Sequence, residues 1–342
     1  MGKPKALIIC GHDILEYNRI DLFTALGFDV VTTGVYSSPE LLNKKHYLPK
    51  IDIVRDSDLL QEYSELNPLT KPEIGIKLNL PKSFLNKFDL ILACYLYEPI
   101  VDNIEILSNK VLICETLGQS NSGRESMLKS LRTKGVKIVR MSENERLFSN
   151  YAGEDAIIDL EVDENFYCGW IGDERSIVTV NAAFKRRGND CRFNQYLRVI
   201  DGLPAKLYGA FNEDIIGDFN LGTATRYQIL NQYRRSRVGF ASVSPPCPIT
   251  LSPKEMLVTG LPVVTYDTQI GGRMLSVPKY LESGAGYYSD NIPELREFLN
   301  TILKDYSLAK RMSIEARRVG LANFSKSVIL KKWREFLSTL GV

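Results

Sequence analysis

Short apolar runs and longer amphipathic stretches alternate along the whole chain. ALIIC (6–10), FDVV (28–31), FDLILACYL (88–96), KVLICETL (110–117) and VKIVRMS (136–142) are apolar almost throughout. Between the first two, Ile14, Leu15, Ile20, Leu22, Phe23 and Leu26 recur at helical spacing, and Gly27 stops the pattern. A polar helix is expected over 124–133. Strands that are apolar on both faces and separated by helices pair in parallel and are covered on both sides. The first half therefore predicts one doubly wound α/β domain, here taken as residues 1–165.

The pattern then repeats. SIVTVNAAF (176–184), AKLYGAF (205–211), VGFASVS (238–244), PVVTYD (262–267) and AGYYS (285–289) predict strands. RFNQYLRVIDGL (192–203), TRYQILNQYRRS (225–236), 291–304 and 306–319 predict helices, and SKSVILKKWREFLSTL (325–340) a last amphipathic one. A second doubly wound domain over 166–322, followed by a terminal helix over 323–342, accounts for this half. Two such domains are expected to face each other across a cleft, because ligands of these folds sit at the carboxyl ends of the strands.

Composition narrows the class. The 342 residues are 44% apolar and 25% charged, enough for two cores of ordinary size. No apolar run approaches the ~18 residues of a membrane span. The run after MGKPK is too short for a secretory signal, and Ala6 stands where a myristoylation pattern needs Ser or Thr. The six cysteines form no C-x-x-C pair, so reduced, buried thiols in a cytoplasmic protein are expected. With His12 and His46 as the only histidines, a His-based metal site is disfavoured. A net charge of +2 gives no global electrostatic case for nucleic acid.

The stretch SPKEMLVTGLPVVTYDT (252–268) carries the sharpest chemistry. Ser252-Pro253-Lys254-Glu255 fits a capping box with proline at the first helical position, a purely structural role for Glu255. The same helix start is also an anion site, since its free amides and dipole favour phosphate. The amides of Ile249, Thr250, Leu251 and Ser252 could take a diphosphate, and Glu255 could accept bonds from two vicinal hydroxyls such as those of a ribose. In the first half, His12 directly follows the first strand and could act on an acceptor hydroxyl. Asp13, Glu98, Glu115 and Gln119 lie in loops after strands and are candidate acceptor contacts, or else helix caps and solvated turns. Arg234, Arg235 and Arg237 read as a solvated helix end. Asp56-Ser57-Asp58 reads as a loop.

Glu255, Gly260, Pro262, Val263 and Val264 match an E-x4-G-x-P-V-V signature. On these residues the second half resembles the large retaining glycosyltransferase family of GT-B fold, the relatives of sucrose and glycogen synthases. The flanks agree: VGFASVS before the signature, Asp267 and Gly271-Gly272 after it, then GAGYYSDNIPELREFLNTILKD and the Phe324-Ser325 turn. The resemblance implies a nucleotide-diphosphate sugar, UDP- or GDP-linked, as co-substrate in the second domain, and no cofactor or metal. It implies Arg187 and Arg192 as the grip on the diphosphate, with Lys185 as an alternate, and Glu255 as the ribose ligand. His12, Arg187, Arg192 and Glu255 are then the catalytic candidates, and a glycan, lipid-linked or small-molecule hydroxyl is the acceptor. The terminal helix containing Trp333 is expected to return to the first domain. One position departs from the pattern: Cys247 stands eight residues before Glu255, where the family has a first glutamate. Three rival readings follow: a transferase acting on a hydroxylated base in DNA, a sugar-nucleotide epimerase, and an inactive nucleotide-binding homologue.

Overall fold

Among the described residues, the apolar runs form two separate six-stranded sheets, every pairing parallel. The computed structural model describes residues 2–43, 57–67, 78–107, 109–118, 120–242, 249–267 and 276–342. The chain divides into two compact units, Met1–Leu160 with Leu330–Val342, and Glu161–Ile329.

The first unit runs β1 (Lys5–Cys10), α1 (Asp13–Ala25), β2 (Asp29–Thr32), α2 (Pro39–Asn43), α3 (Ser57–Leu66), α4 (Lys82–Leu85), β3 (Leu90–Cys94), α5 (Glu98–Asn103), β4 (Val111–Glu115), α6 (Ser122–Thr133), β5 (Lys137–Arg140) and β6 (Ala156–Ile157). Its strand order is β2-β1-β3-β4-β5-β6. Residues of β1, β3 and β4 such as Leu7, Ile91 and Ile113 are wholly buried, as strands covered on both faces require.

The second unit runs β7 (Glu174–Val180), α7 (Phe193–Ile200), β8 (Ala205–Tyr208), β9 (Asn220–Gly222), α8 (Arg226–Arg235), β10 (Ser236–Ala241), α9 (Leu251–Thr259), β11 (Val263–Thr265), α10 (Val277–Leu281), β12 (Gly286–Tyr288), α11 (Ile292–Lys304) and α12 (Tyr306–Phe324). Its order is β12-β11-β10-β7-β8-β9. Gly320 lets α12 lie tightly on α9. A Cβ at that position would stand 2.5 Å from the backbone carbon of Leu257 and the nitrogen of Val258.

The last helix, α13 (Lys326–Thr339), begins in the second unit and ends in the first. Trp333, wholly buried, packs edge-on against Phe23 of α1 with ring centroids 5.2 Å apart. Among the described residues no helix is long and apolar enough to cross a membrane.

Two expectations change. Ser57 and Asp58 do not lie in a loop but open α3, which buries Leu59 and Tyr63; Asp56 is outside the described residues. Of the three arginines near the end of α8, Arg235 stays exposed as expected, while Arg234 and Arg237 are engaged with backbone carbonyls. Arg234 Nε donates to the Gly169 carbonyl at 3.1 Å, Arg235 pairs with Asp173 at 3.6 Å, and buried Arg237 donates to Gly172 and Leu303 carbonyls at 2.8 and 3.2 Å. Arg234 and Arg237 bind the segment entering β7 to the end of α8 and the start of β10.

Glu16 of α1 is buried in the first unit. Its Oε1 accepts from Thr32 Oγ1, from the Gly34 amide at 3.1 Å and from the Tyr36 amide at 3.2 Å. Burial outweighs these bonds and pushes the carboxyl up to about 8. The folded state therefore holds a proton that the unfolded chain, with an ordinary glutamate, releases near pH 4.5. By linkage the contribution of this group is present below that value and is lost as pH rises toward 8, with a slope of at most about 1.4 kcal/mol per pH unit. Urea unfolding of a Trp170→Phe variant, followed by Trp333 fluorescence, is expected to show this decline between pH 5 and 8. Glu16→Gln should flatten it; an unchanged slope would remove Glu16 as its source.

Candidate functional site

Each sheet has a point where the chain reverses its direction of winding, and at such points the loops at the carboxyl edge part to leave room for a ligand. In the first unit it lies between β1 and β3, in the second between β7 and β10.

Helix α9 follows β10 and starts at the second reversal point. Ser252 Oγ donates to the carbonyl of Val180, the last residue of β7, at 3.4 Å, and Asn181 Nδ2 donates to the Ser242 carbonyl at 3.0 Å. These bonds tie the ends of β7 and β10 to the helix start. The helix begins two residues earlier than the capping-box reading expects. Thr250 is the N-cap, Leu251 the first helical residue, and no side chain caps the turn. Glu255 is therefore not the third residue of a capping box, and the structural role expected for it is replaced by another. The amides of Thr250, Leu251 and Ser252 precede the first residue that an α-helix can bond internally, and Pro253 has none to offer. Ile249 is buried and anchors the turn from below. Gly260, at φ +89°, terminates the helix in the left-handed conformation.

Glu255 is half-buried and lies among aromatic hydroxyls. Its Oε1 accepts from Tyr167 Oη at 2.5 Å and its Oε2 from Tyr233 Oη at a long 3.5 Å. Arg226 Nε donates to the same Tyr167 oxygen at 3.3 Å. The Arg226 guanidinium lies 4.3 Å from the centroid of Phe166 and 5.1 Å from that of Tyr167. Burial raises the Glu255 carboxyl above the ordinary glutamate range; the Tyr167 bond, the Arg226 charge and the Tyr233 bond pull against it. Burial, and then the Glu255 charge, push both tyrosines well up, so both stay protonated donors. None of these three partners carries a sequence signal of its own. Tyr167 lies in a segment without periodicity, and Tyr233 and Arg226 look like ordinary positions of α8.

Arg192 is the N-cap of α7 in the left-handed conformation, φ +56°, which is uncommon for a non-glycine residue and concentrates at functional sites. Its Nη1 pairs with Asp290 Oδ1 at 2.6 Å and its guanidinium stands 4.7 Å from the Tyr266 ring centroid. Tyr266 and Asp290 follow β11 and β12, so Arg192 reaches along the carboxyl edge of the sheet. Arg187 is exposed, with its amide on the Ala183 carbonyl at 3.0 Å. Lys185 is exposed and its Nζ donates to the Asp214 carbonyl at 2.8 Å. Cys247 lies outside the described residues.

In the first unit the candidates separate. His12 is exposed and is the N-cap of α1, though its side chain makes no capping bond; Asp13 is the first residue of that helix. Glu98 is exposed and opens α5. Gln119 lies outside the described residues. Glu115 corrects the expectation of an acceptor contact. It is the last residue of β4, wholly buried, and pairs with Arg19 Nε at 3.0 Å. It has no surface with which to meet an acceptor. The neighbouring loops carry backbone strain instead, with Tyr95 at φ +65° after β3 and Leu117 at φ +52° after β4.

No family model and no curated protein matches the sequence. Solved structures do match over nearly the whole chain. A glycosyltransferase from Rickettsia africae superposes with a TM-score of 0.67 at 14% identity, covering 99% of both chains. Sucrose-phosphate synthase from Thermosynechococcus elongatus gives 0.69 at 15% identity, again over 99% of both. HepE from Anabaena, solved in complex with UDP and glucose, gives 0.66 at 14% identity over 98% of this chain and 100% of that one. The fold is the GT-B fold of these glycosyltransferases, α/β with two doubly wound units.

Proposed function

We propose that this chain is a glycosyltransferase that moves a sugar from a nucleotide-diphosphate sugar to an acceptor hydroxyl. The observation that carries the reading is Glu255: a carboxylate on the helix at the reversal point of the second sheet, just beyond amides suited to phosphate. In this reading its two oxygens hold the vicinal hydroxyls of the ribose. The amides of Thr250, Leu251 and Ser252 and the guanidinium of Arg192 meet the diphosphate. Asp290 engages one Arg192 Nη and leaves other donors of the fork for phosphate oxygens. Arg187, with Lys185 as an alternate, adds charge. Such bonds strengthen as the leaving diphosphate gains charge, and so favour the transition state over the bound donor.

UDP is the first nucleotide to test, because HepE was solved with UDP and with UDP-glucose. GDP is the second. Retention and independence from metal belong to the same proposal; activity unaffected by chelator is the expected result. His12, Asp13 and Glu98 are the first-unit residues we assign to a glycan, lipid-linked or small-molecule acceptor. A thermal-shift panel of nucleoside diphosphates and their sugars tests the donor half. A ligand held at ~100 times its dissociation constant stabilises the protein by about 2.7 kcal/mol. UDP or GDP should produce that response in a concentration-dependent way. A protein that responds to no nucleoside diphosphate is not a transferase of this kind.

A further inference from the structure

The chain Arg226–Tyr167–Glu255 has a direction. Arg226 Nε donates to the Tyr167 oxygen at 3.3 Å, and the Tyr167 hydroxyl donates to Glu255 Oε1 at 2.5 Å. A tyrosine hydroxyl has one proton to give. Once Arg226 occupies the acceptor side of the oxygen, that proton is committed to the carboxylate. Arg226 is itself fixed: it is the first residue of α8, behind a complete capping box of Thr225 and Gln228, and it lies over the Phe166 and Tyr167 rings. The Tyr167 backbone is held too, its carbonyl accepting from Arg317 Nη1 at 2.6 Å.

We infer that Tyr167, braced by Arg226, is a positioning residue that fixes the plane of the Glu255 carboxylate for the two vicinal hydroxyls of a ribose. The inference rests on the assignment of Glu255 as the ribose ligand. An ionised carboxylate offers about four lone-pair directions. Tyr167 takes one on Oε1, and the longer contact from Tyr233 faces Oε2. By this count one direction on each oxygen is left for a hydroxyl of the ribose. A glutamate without this brace has a broad terminal torsion, and must lose that freedom when the ribose arrives. The two tyrosines are themselves packed in an aromatic cluster, with ring centroids 5.0 Å apart for Phe166 and Tyr167 and 6.5 Å apart for Tyr167 and Tyr233. Among the described residues, the charged and titratable groups facing the carboxylate are Tyr167, Tyr233 and Arg226. Arg317 of α12, on the other side of α9, is engaged with carbonyls of Val258, Tyr167 and Glu164.

Titration calorimetry with UDP and 2′-deoxy-UDP between pH 5 and 8 tests this on the full chain. The wild type should prefer UDP by about tenfold or more, and Glu255→Gln should abolish the preference. Tyr167→Phe should weaken UDP about tenfold, equivalent to about 1.4 kcal/mol, with 2′-deoxy-UDP much less affected, so the preference shrinks. The bond from Tyr167 favours the ionised carboxyl. Without it the carboxyl takes up its proton at higher pH, and UDP affinity should begin to fall at higher pH than in the wild type. Arg226→Gln, which leaves the tyrosine in place, should reduce the preference in the same direction and carries the test if Tyr167→Phe does not fold. If Tyr167→Phe or Arg226→Gln keeps the full preference and the wild-type pH profile while Glu255→Gln loses the preference, the positioning role is wrong and the ribose assignment stands. A wild type that binds UDP without any preference over the deoxy compound overturns the ribose assignment itself. Tighter UDP binding by Tyr167→Phe would make the tyrosine a competitor of the ribose and also overturn the inference.

Discussion

Replacing Glu125 with leucine is expected to lower the free energy of unfolding of the first unit by about 3–5 kcal/mol, the usual cost of stranding one partner of a buried ion pair. Arg140 and Glu125 are both wholly buried and meet through two parallel bonds, 2.8 and 2.9 Å long. Glu125 Oε2 also accepts from the Ala152 amide at 2.7 Å, and Arg140 gives further bonds to the Gly153 carbonyl at 3.0 and 3.1 Å. Burial works to raise the Glu125 carboxyl, but Arg140 and its hydrogen bonds hold it below the ordinary glutamate range. Among the described residues, the leucine variant leaves the guanidinium with Glu145 at 3.6 Å as its remaining carboxylate. Glu145 is itself raised by burial, against bonds from Thr116, Met141 and Ser142. It is a weak replacement. Adding Arg140→Met to Glu125→Leu removes the stranded charge and should recover much of the loss, since buried pairs are often dispensable when both members go. Urea unfolding followed by Trp333 fluorescence in the Trp170→Phe background reads both effects. A Glu125→Leu variant within about 1 kcal/mol of its parent would show that the pair contributes little.

The second large effect falls on binding. Glu255→Gln is expected to weaken UDP on the order of a hundredfold with little change in melting temperature. The amide keeps an oxygen for Tyr167 and turns its NH2 toward Tyr233, whose hydroxyl oxygen can accept from it in place of the long 3.5 Å bond it donates to the carboxylate. What is lost is charge and one acceptor of the pair. Two hydrogen bonds to a charged group, each contributing about 1.5–3 kcal/mol, cover a hundredfold change. An equal loss for UDP and for inorganic diphosphate would place the effect on the phosphates rather than on the ribose.

Much of this architecture was legible because parallel strands announce themselves. Continuous runs such as LILAC and VLICE admit no solvent face, and β3 and β4 appear where they fall. β6 and β9, of two and three residues, are too short to give a run, and α3 was hidden because its Ser57-Asp58 start resembles a turn. The site was legible in part. Gly260 and the apolar strand after it located α9, since a left-handed helix end favours glycine. The frame of that helix was off by enough to turn Glu255 from a cap into a carboxylate facing α8, because Pro253 tolerates any position of the first turn. Tyr167 joins Glu255 across 88 positions of sequence, and no local pattern records a contact that long. Glu115 misled for the opposite reason. A glutamate at a strand end normally meets water, and only the fold shows Arg19 drawn in to pair with it.

The central claim is that the second unit holds a nucleoside diphosphate with its ribose on Glu255. A crystal structure of the chain with UDP tests it most directly. The expected result is density at the carboxyl edge between β7 and β10, with the ribose hydroxyls within hydrogen-bond distance of Glu255 and the diphosphate against the amides of Thr250 to Ser252. UDP bound elsewhere, or bound there with Glu255 still closed on Tyr167 and Tyr233 and no ribose contact, would contradict it.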